Sequence, residues 1–238
     1  MKIVVINGTE KQGVTFRLKE LFLQRFQGAD IIEYYLPKDC PSFCVGCTNC
    51  FFKGENKCKD FAYISKIEQS LIQADLIVMT SPVYVMHATG AMKALLDHFA
   101  YRWLSHRPAP EMFGKRAVII TQCVGPGAKS TTKDMKHSLS WWGISKIGVF
   151  NGVLMSEIIW DKLPENKCKH LTNKINRLAC RFAKINYAKP AHTKLITKIK
   201  FQLCRFIKKQ LEKNGDKGLD NQYWHENGWI NKSRPWKK

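Results

Sequence analysis

Asp75-Leu76-Ile77-Val78-Met79-Thr80-Ser81-Pro82-Val83-Tyr84 decides the fold, together with its continuation Gly90-Ala91-Met92-Lys93-Ala94-Leu95-Leu96-Asp97-His98-Phe99. The first part is an apolar run too short for a helix and rich enough in branched side chains to be a strand buried on both faces. Pro82 lacks a donor and drives Ser81 out of the α region, so the strand is predicted to stop there. After a short loop, Met92, Leu95, Leu96 and Phe99 recur at helical spacing. Strand, proline-ended loop and helix make half of a βαβ unit, and open α/β sheets bind ligands at the carboxyl ends of such strands. The loop's amides and the flat ring of Tyr84 suit a planar heterocycle, although the same pattern also serves a crossover that only packs.

A chain of 238 residues, 45% hydrophobic and 24% charged, has the make-up of a soluble globular protein with one sizeable core and room for an appendage. No apolar run approaches the roughly 18 residues that suggest a membrane span. Met1-Lys2-Ile3-Val4-Val5-Ile6 passes straight into Asn7-Gly8 without a cleavage pattern and reads as a strand, not a signal peptide. A cytoplasmic protein is expected, in which nine cysteines serve as thiols, metal ligands or redox groups more often than as disulfides. The net charge of +20 is uneven: residues 1–158 carry 19 Lys/Arg against 13 Asp/Glu, and residues 159–238 carry 20 against 6. The tail is therefore strongly basic and calls for its own explanation.

Taken in order, the chain alternates. Strands are predicted at 2–7, 30–35, 117–123 and 146–154 in addition to the one that starts at Asp75. Helices follow from Val14, Leu18, Leu21, Phe22 and Phe26, from Ile64, Ile67, Leu71 and Ile72, from Met135, Leu139 and Trp142, and from Leu171, Ile175, Leu178 and Phe182. Five strands alternating with helices imply a doubly wound parallel α/β sheet, three layers deep.

Gly8-Thr9-Glu10-Lys11-Gln12-Gly13-Val14-Thr15 joins the first strand to the first helix. Such a loop presents unpaired amides and the positive end of a helix dipole, which favour phosphate, and the hydroxyls of Thr9 and Thr15 and the ammonium of Lys11 add to the cradle. It is neither a Walker loop nor a GxGxxG fingerprint. Between 36 and 60 the periodicity vanishes and five cysteines gather. Cys44, Cys47, Cys50 and Cys58 form C-x2-C-x2-C-x7-C, and overlapping x2 spacings wind three thiolates around one compact object, with Gly46 permitting the tight path. A [4Fe-4S] cluster, a zinc ion, redox-active thiols and an unfilled loop all fit this pattern, zinc less well because it favours separated pairs. Cys40 is an alternative ligand, whereas Cys123, Cys168, Cys180 and Cys204 read as core thiols. His98 reads as packed or solvated, and no hydrolase elbow or metalloprotease helix occurs.

Four pieces stand in order at strand ends: Asn-Gly-Thr-x-Lys-x-Gly-x-Thr, Ser-Pro-Val-Tyr, Gly-x-Met-Lys-x-Leu-Leu-Asp and Thr-x-x-x-Gly-x-Gly. Together they resemble the NADPH-dependent FMN reductase group of the flavodoxin-like superfamily, over about residues 1 to 160, and the cysteine loop adds a likeness to iron-sulfur flavoproteins. The resemblance implies a five-stranded sheet of order 2-1-3-4-5. It also implies FMN as cofactor, with the phosphate on Thr9, Lys11, Gly13 and Thr15, the ring and ribityl chain along Pro82, Val83, Tyr84 and Val85, and the far side of the ring near Thr121 and Gly125. The implied donor is NAD(P)H, and a homodimer or homotetramer is implied as the assembly. Relatives carry an arginine and an asparagine where this chain has Lys11 and Val14. Lysine lacks the arginine fork, so lower FMN affinity is expected, with most of the grip left to backbone amides.

Residues 1–188 are thus expected to form the flavodoxin-like domain, with 189–238 a basic helical and aromatic extension. In the extension Leu195, Ile199, Leu203, Phe206 and Ile207 share one helical face, Lys194, Lys198, Arg205 and Lys208 lie roughly opposite, and Phe201 falls on the basic side. This helix is expected to pack its stripe on the domain or on a second subunit; a basic face also suits an anionic membrane surface, and nucleic acid is not expected. The functional expectation is an FMN-dependent oxidoreductase that takes electrons from NAD(P)H or a reduced protein and passes them to a quinone, flavin or protein. A non-enzymatic electron carrier and a flavin-sensing binding module with a docking tail are the alternatives. No acid or base is assigned, since hydride chemistry belongs to the flavin.

Overall fold

Alternation within continuous apolar runs explains how one sheet feeds two cores. Val4, Ile6, Ile77, Met79, Ala117 and Ile119 point into one layer, whereas Ile3, Val5, Leu76, Val78, Val118 and Ile120 point into the other, as a two-residue period requires. The strands are β1 (Lys2–Asn7), β2 (Asp30–Tyr35), β3 (Leu76–Pro82), β4 (Arg116–Cys123) and β5 (Lys146–Val153). All pair in parallel, in the order β2-β1-β3-β4-β5. The computed structural model describes residues 1–154 and 159–237.

Helices α1 (Val14–Leu23) and α6 (Glu165–Ala183) cover one face of the sheet. Helices α3 (Phe61–Gln73), α4 (Gly90–His98) and α5 (Ala128–Trp141) cover the other, with the four-residue α2 (Asn49–Phe52) inside the cysteine-bearing segment. The predicted flavodoxin-like α/β architecture is therefore present. Strand order reverses between β1 and β3, so the loops leaving their carboxyl ends diverge and open a crevice there. Two details differ from the sequence reading. The first helix ends at Leu23, and turns carry the chain to Gly28. Residues 99–115, to which no structure was assigned, form 3₁₀ turns at Ala100–Arg102 and Pro110–Gly114 that bury Tyr101, Leu104, Arg107, Met112 and Phe113.

That segment is the seat of the C-terminal extension. Helices α7 (Leu195–Lys213) and α8 (Leu219–Glu226) close a third core around Leu104, Phe113, Phe201, Trp224, Trp229 and Ile230. Here the expectation that the apolar stripe of the tail helix packs on the domain is corrected. Its buried face is Thr197, Phe201, Cys204, Arg205 and Lys208, while Leu195, Ile199, Leu203, Phe206 and Ile207 face solvent, Leu195 at 71% exposure. Phe201, read as a blemish in the pattern, is the anchor. It stacks on Trp224 with ring centroids 4.8 Å apart and meets Phe113 and Trp229 edge-on.

The basic face can turn inward because most of its polar groups have partners, the buried Arg205 Nε being the exception. Thr197 meets the Ser145 hydroxyl at 2.9 Å, and Arg205 donates to the Ser233 carbonyl at 2.5 Å. Lys208 donates to Asp220 at 3.1 Å, and the same carboxylate takes Arg107 and the His106 ring. Burial raises the Asp220 carboxyl, but the hydrogen bond from His106 and the charge of Lys208 outweigh it and hold it below the usual carboxylate range. Among the described residues no helix is long and apolar enough to cross a membrane.

Asp220→Asn should leave Arg107 and Lys208 buried without a counter-charge, and denaturant unfolding is expected to show a loss of about 3–5 kcal/mol. A carboxylate whose folded pKa is depressed contributes fully above its unfolded pKa and loses that contribution as pH falls. The gap between wild type and variant should thus be complete at neutral pH and narrow below about pH 4. A gap that stays constant from neutral pH to strong acid would contradict the role given to Asp220.

Candidate functional site

The loops after β1 and β3 are stitched together by backbone contact. The Gly8 amide donates to the Thr80 carbonyl at 2.7 Å, and the Thr89 hydroxyl donates to the Gly8 carbonyl at 2.6 Å. A β-carbon on Gly8 would stand 2.9 Å from the Thr80 oxygen and 3.0 Å from the Thr89 hydroxyl, so only glycine permits the approach. Thr89 also caps α4, accepting from the Met92 amide at 3.2 Å. Behind them a polar knot holds the strand ends. Lys19, fully buried, meets Glu33 at 2.6 Å; Asn7 donates to Glu33 at 2.9 Å and accepts from Thr80 at 3.2 Å. Burial lowers the Lys19 pKa, but its bonds to Glu33 and Glu20 outweigh that and keep the ammonium above its ordinary value.

In front of this knot lies a cleft of about 210 Å³ lined by Thr9, Lys11, Gly13, Thr15, Pro82, Val83 and Tyr84, together with Val14, Gln122, Cys123 and Val124. Seven of the ten residues assigned to the flavin are thus brought together. The amino end of α1 opens into the cleft with no side-chain cap and no acidic residue in its first turn. Thr15 is 4% exposed, and its hydroxyl has no partner among the described residues; the side-chain oxygen of Gln122 is likewise unpaired. Uncapped amides, a free buried hydroxyl and the nearby Lys11 form a place that an anion would complete.

Beyond the cleft, Tyr84 and His87 close a tight turn through reciprocal backbone hydrogen bonds of 2.9 and 3.0 Å. Its central residues, Val85 and Met86, sit at φ 47° and 68°. Such turns normally take Asn-Gly, and a non-glycine residue there costs about 1–2 kcal/mol. Helix α5 holds the turn in place. Ser130 donates to the Met86 carbonyl, while Asp134 meets the His87 ring at 3.0 Å and the Ala88 amide at 3.1 Å. The reward is a projecting apolar tip, with Val85 96% exposed between half-exposed Tyr84 and Met86.

Three assigned residues do not line the cleft. Val85 stands off it at the tip. Thr121 is fully buried and donates to Asn151 at 2.9 Å. Gly125 lies past the wall, its carbonyl accepting from the Cys123 thiol. Gln122, Cys123 and Val124 form a wall of the cleft, while Thr89, Ser130 and Asp134 hold the loops after β1 and β3. Of these, only Thr89 carried a sequence signal, a capping threonine directly before a helical run.

The four spaced cysteines follow β2 at the same sheet edge, and all are free thiols. Gly46 and Thr48 both adopt positive φ, which winds the chain tightly between them. Burial pushes the Cys50 thiol up, and the charges of Cys58, Cys44 and Cys47 push it further, so the four sulfurs feel one another. Among the described residues no three of them lie within 4.8 Å of one another. A single tetrahedral ion with bonds of about 2.3 Å needs them closer; a larger object between them does not. Cys40 is a buried core group, its thiol pushed up to about 11 chiefly by burial and further by the charges of Asp60 and Cys58. Cys123 and Cys204 are buried as read, whereas Cys168 and Cys180 are only half-buried. His98 is packed, its ring meeting the Ser42 carbonyl at 3.1 Å and the Asp60 carboxylate at 3.7 Å beside Cys58. Arg107 clamps the segment, reaching the Cys50 carbonyl and Glu55 while also bonding Asp220.

Comparison with known proteins gives the family and the fold. The family model for NADPH-dependent FMN reductase matches residues 1–159. An iron-sulfur flavoprotein of Archaeoglobus fulgidus is 27% identical over 238 residues, covering 97% of this chain and all of that protein. An NADPH azoreductase of Bacillus sp. strain OY1-2 is 25% identical over 68% of this chain and 78% of its own length. Among solved structures, an FMN-dependent NADH-azoreductase from Bacillus anthracis in complex with FMN superposes with a TM-score of 0.61 at 14% identity, over 77% of this chain and 100% of that one, which shows a shared fold.

Thr15→Val tests the anion cradle through two effects of opposite sign. Removing an unpaired buried hydroxyl should raise the melting stability of flavin-free protein by about 1 kcal/mol. Removing a donor to a phosphate should weaken FMN binding about tenfold or more in fluorescence titrations. A variant that loses stability while binding FMN normally would refute the assignment.

Proposed function

The chain belongs to the NADPH-dependent FMN reductase family, and from that premise we propose an NAD(P)H-dependent oxidoreductase with FMN in the cleft and a [4Fe-4S] cluster on Cys44, Cys47, Cys50 and Cys58. When bound, FMN accepts hydride from a nicotinamide, and an iron-sulfur cluster exchanges single electrons. The observation that carries the cluster reading is the set of four free thiols on one tightly wound segment at the flavin edge of the sheet, no three of them within 4.8 Å of one another among the described residues. The near full-length likeness to an iron-sulfur flavoprotein supports the same reading.

Within this proposal each element has a job. The α1 amino end, Thr9, Lys11 and Thr15 take the phosphate. Pro82, Val83 and Tyr84 lie along the ring on one side, with Gln122, Cys123 and Val124 on the other. The Val85–Met86 tip projects into solvent next to Tyr84, at the outer end of the loop that lines the cleft. No side chain is required as acid or base, because the protein's contribution is position and electrostatics.

A second reading, an electron carrier that trades only with other proteins, draws on one feature. Phe43, Val45 and Phe52 are exposed at 67, 66 and 77% around the cysteines, an apolar rim of the kind that meets a partner surface. Acceptor breadth separates the two readings. An enzyme oxidises NAD(P)H steadily with a quinone or free flavin, whereas a carrier exchanges only with a ferredoxin-like protein.

Anaerobic protein reconstituted with iron and sulfide is expected to hold about four irons per chain. Cys47→Ser should lose the iron and one-electron exchange with ferredoxin, yet keep FMN and NAD(P)H oxidation. Reconstituted wild type without iron would end the cluster reading. FMN-loaded protein that oxidises neither NADH nor NADPH would end the enzymatic one.

A further inference from the structure

Helix α7 reverses the usual arrangement of an amphipathic helix, and its outer face is unpartnered in the folded chain. Leu195, Ile196, Ile199, Leu203, Phe206, Ile207 and Leu211 are all at least 40% exposed along it. At 100° per residue they span a wide apolar arc, interrupted on its last turn by Gln210, opposite the arc that Phe201 anchors. Lys198 and Lys209 border this arc on one side, with Lys213 at its edge, and Lys200 stands on the other. The only acidic residue of the helix, Glu212, is engaged by His225 at 2.8 Å. A stripe of this size on one rigid helix is more than the scattered apolar exposure of an ordinary surface.

Two adjoining cavities extend the face. An apolar groove of about 570 Å³ runs between Leu195, Ile199 and Leu203 and the C-terminal Trp236, with Lys198 and Arg234 on its border. The same Lys198, Arg234 and Trp236 also border a cleft of about 820 Å³, which reaches Arg116, His192 and Lys237. It opens at Asp75, Lys115 and Arg116, the amino ends of β3 and β4. The flavin cleft lies at the opposite edge of the sheet and is untouched by anything bound here.

We infer that this face is a docking surface for an anionic lipid bilayer, with the outer stripe of α7 lying in the interface and the flanking lysines and Arg234 on the lipid headgroups. The helix has what in-plane attachment requires, a wide apolar face bordered by cations, and it is already held rigid by the Phe201 core. Charge decides between this occupant and a second copy of the chain. Two copies meeting stripe to stripe would bring the border of Lys198 and Lys209 against its own like, and residues 159–238 carry 20 basic against 6 acidic residues. An anionic surface answers those charges, whereas a second copy repeats them.

The test uses the full-length, FMN-loaded protein and sedimentation with large unilamellar vesicles of phosphatidylglycerol and phosphatidylcholine in equal parts, or of phosphatidylcholine alone. Partition into the anionic vesicles is expected, at least tenfold above the neutral ones, and falling severalfold as salt rises from 0.1 to 0.5 M. Ile199→Glu with Phe206→Glu should abolish it while FMN content and the circular dichroism spectrum stay unchanged, since both side chains already face water. Lys198→Gln with Lys209→Gln and Lys213→Gln, which keeps the stripe, should lower it severalfold. Three results would each overturn the inference. One is no partition into anionic vesicles; another is equal partition into neutral ones. The third is a dimer, seen by light scattering, that the glutamate pair converts to monomer while neither form binds vesicles.

Discussion

The approach of Gly8 to Thr80 and Thr89 is the contact on which the site depends. Parallel strands β1 and β3 are neighbours, but their connections run to opposite faces of the sheet, so nothing in the topology alone joins the loops that follow them. A missing β-carbon lets the first loop settle under the second, and two hydrogen bonds lock it there. The same threonine caps α4, so the crossover helix, the proline-ended loop and the anion cradle share one fixed reference. The uncapped start of α1 is consequently presented beside Pro82 and Val83, and a phosphate and a flat ring can be gripped from one rigid floor.

A second junction ties the appendage to the chemistry. Asp220 of α8 gathers Arg107, His106 and Lys208, and Arg107 continues to the Cys50 carbonyl and Glu55 in the cysteine segment. The C-terminal extension is therefore coupled to the segment that carries the thiols through one buried, charge-balanced chain of contacts. Removing either end leaves uncompensated charge in a low-dielectric setting, which is costly. This coupling gives the extension a structural role at the flavin edge in addition to the surface it offers on the outside of α7.

The centre of the sheet was legible because β1, β3 and β4 are largely apolar runs followed by Asn-Gly, Ser-Pro and Gly-Pro, signals that need no tertiary information. The cysteine spacing was legible for the same reason. What escaped depends on distant partners. Phe201 looked misplaced because the face it belongs to is basic; only Asp220, Ser145 and Ser233, brought in from elsewhere in the chain, make that face fit to bury. The Val85–Met86 turn lacks the Asn-Gly that would reveal it, since its strain is borne by Ser130 and Asp134 on another helix. Thr121 lies next to the cleft in sequence terms, yet Asn151 on β5 takes its hydroxyl and turns it away. Gln122 and Cys123 line the cleft at that strand end, a matter of wall geometry that periodicity does not encode.

The uncapped start of α1 and the unpaired Thr15 hydroxyl suit a flavin that ends in a single phosphate. Titrating flavin-free protein with FMN and with FAD, side by side and followed by flavin fluorescence, tests this most directly. The account predicts saturation at one FMN per chain and at least tenfold weaker binding of FAD, whose phosphate is bridged onward to an adenosine. Tight FAD binding with no binding of FMN would contradict it.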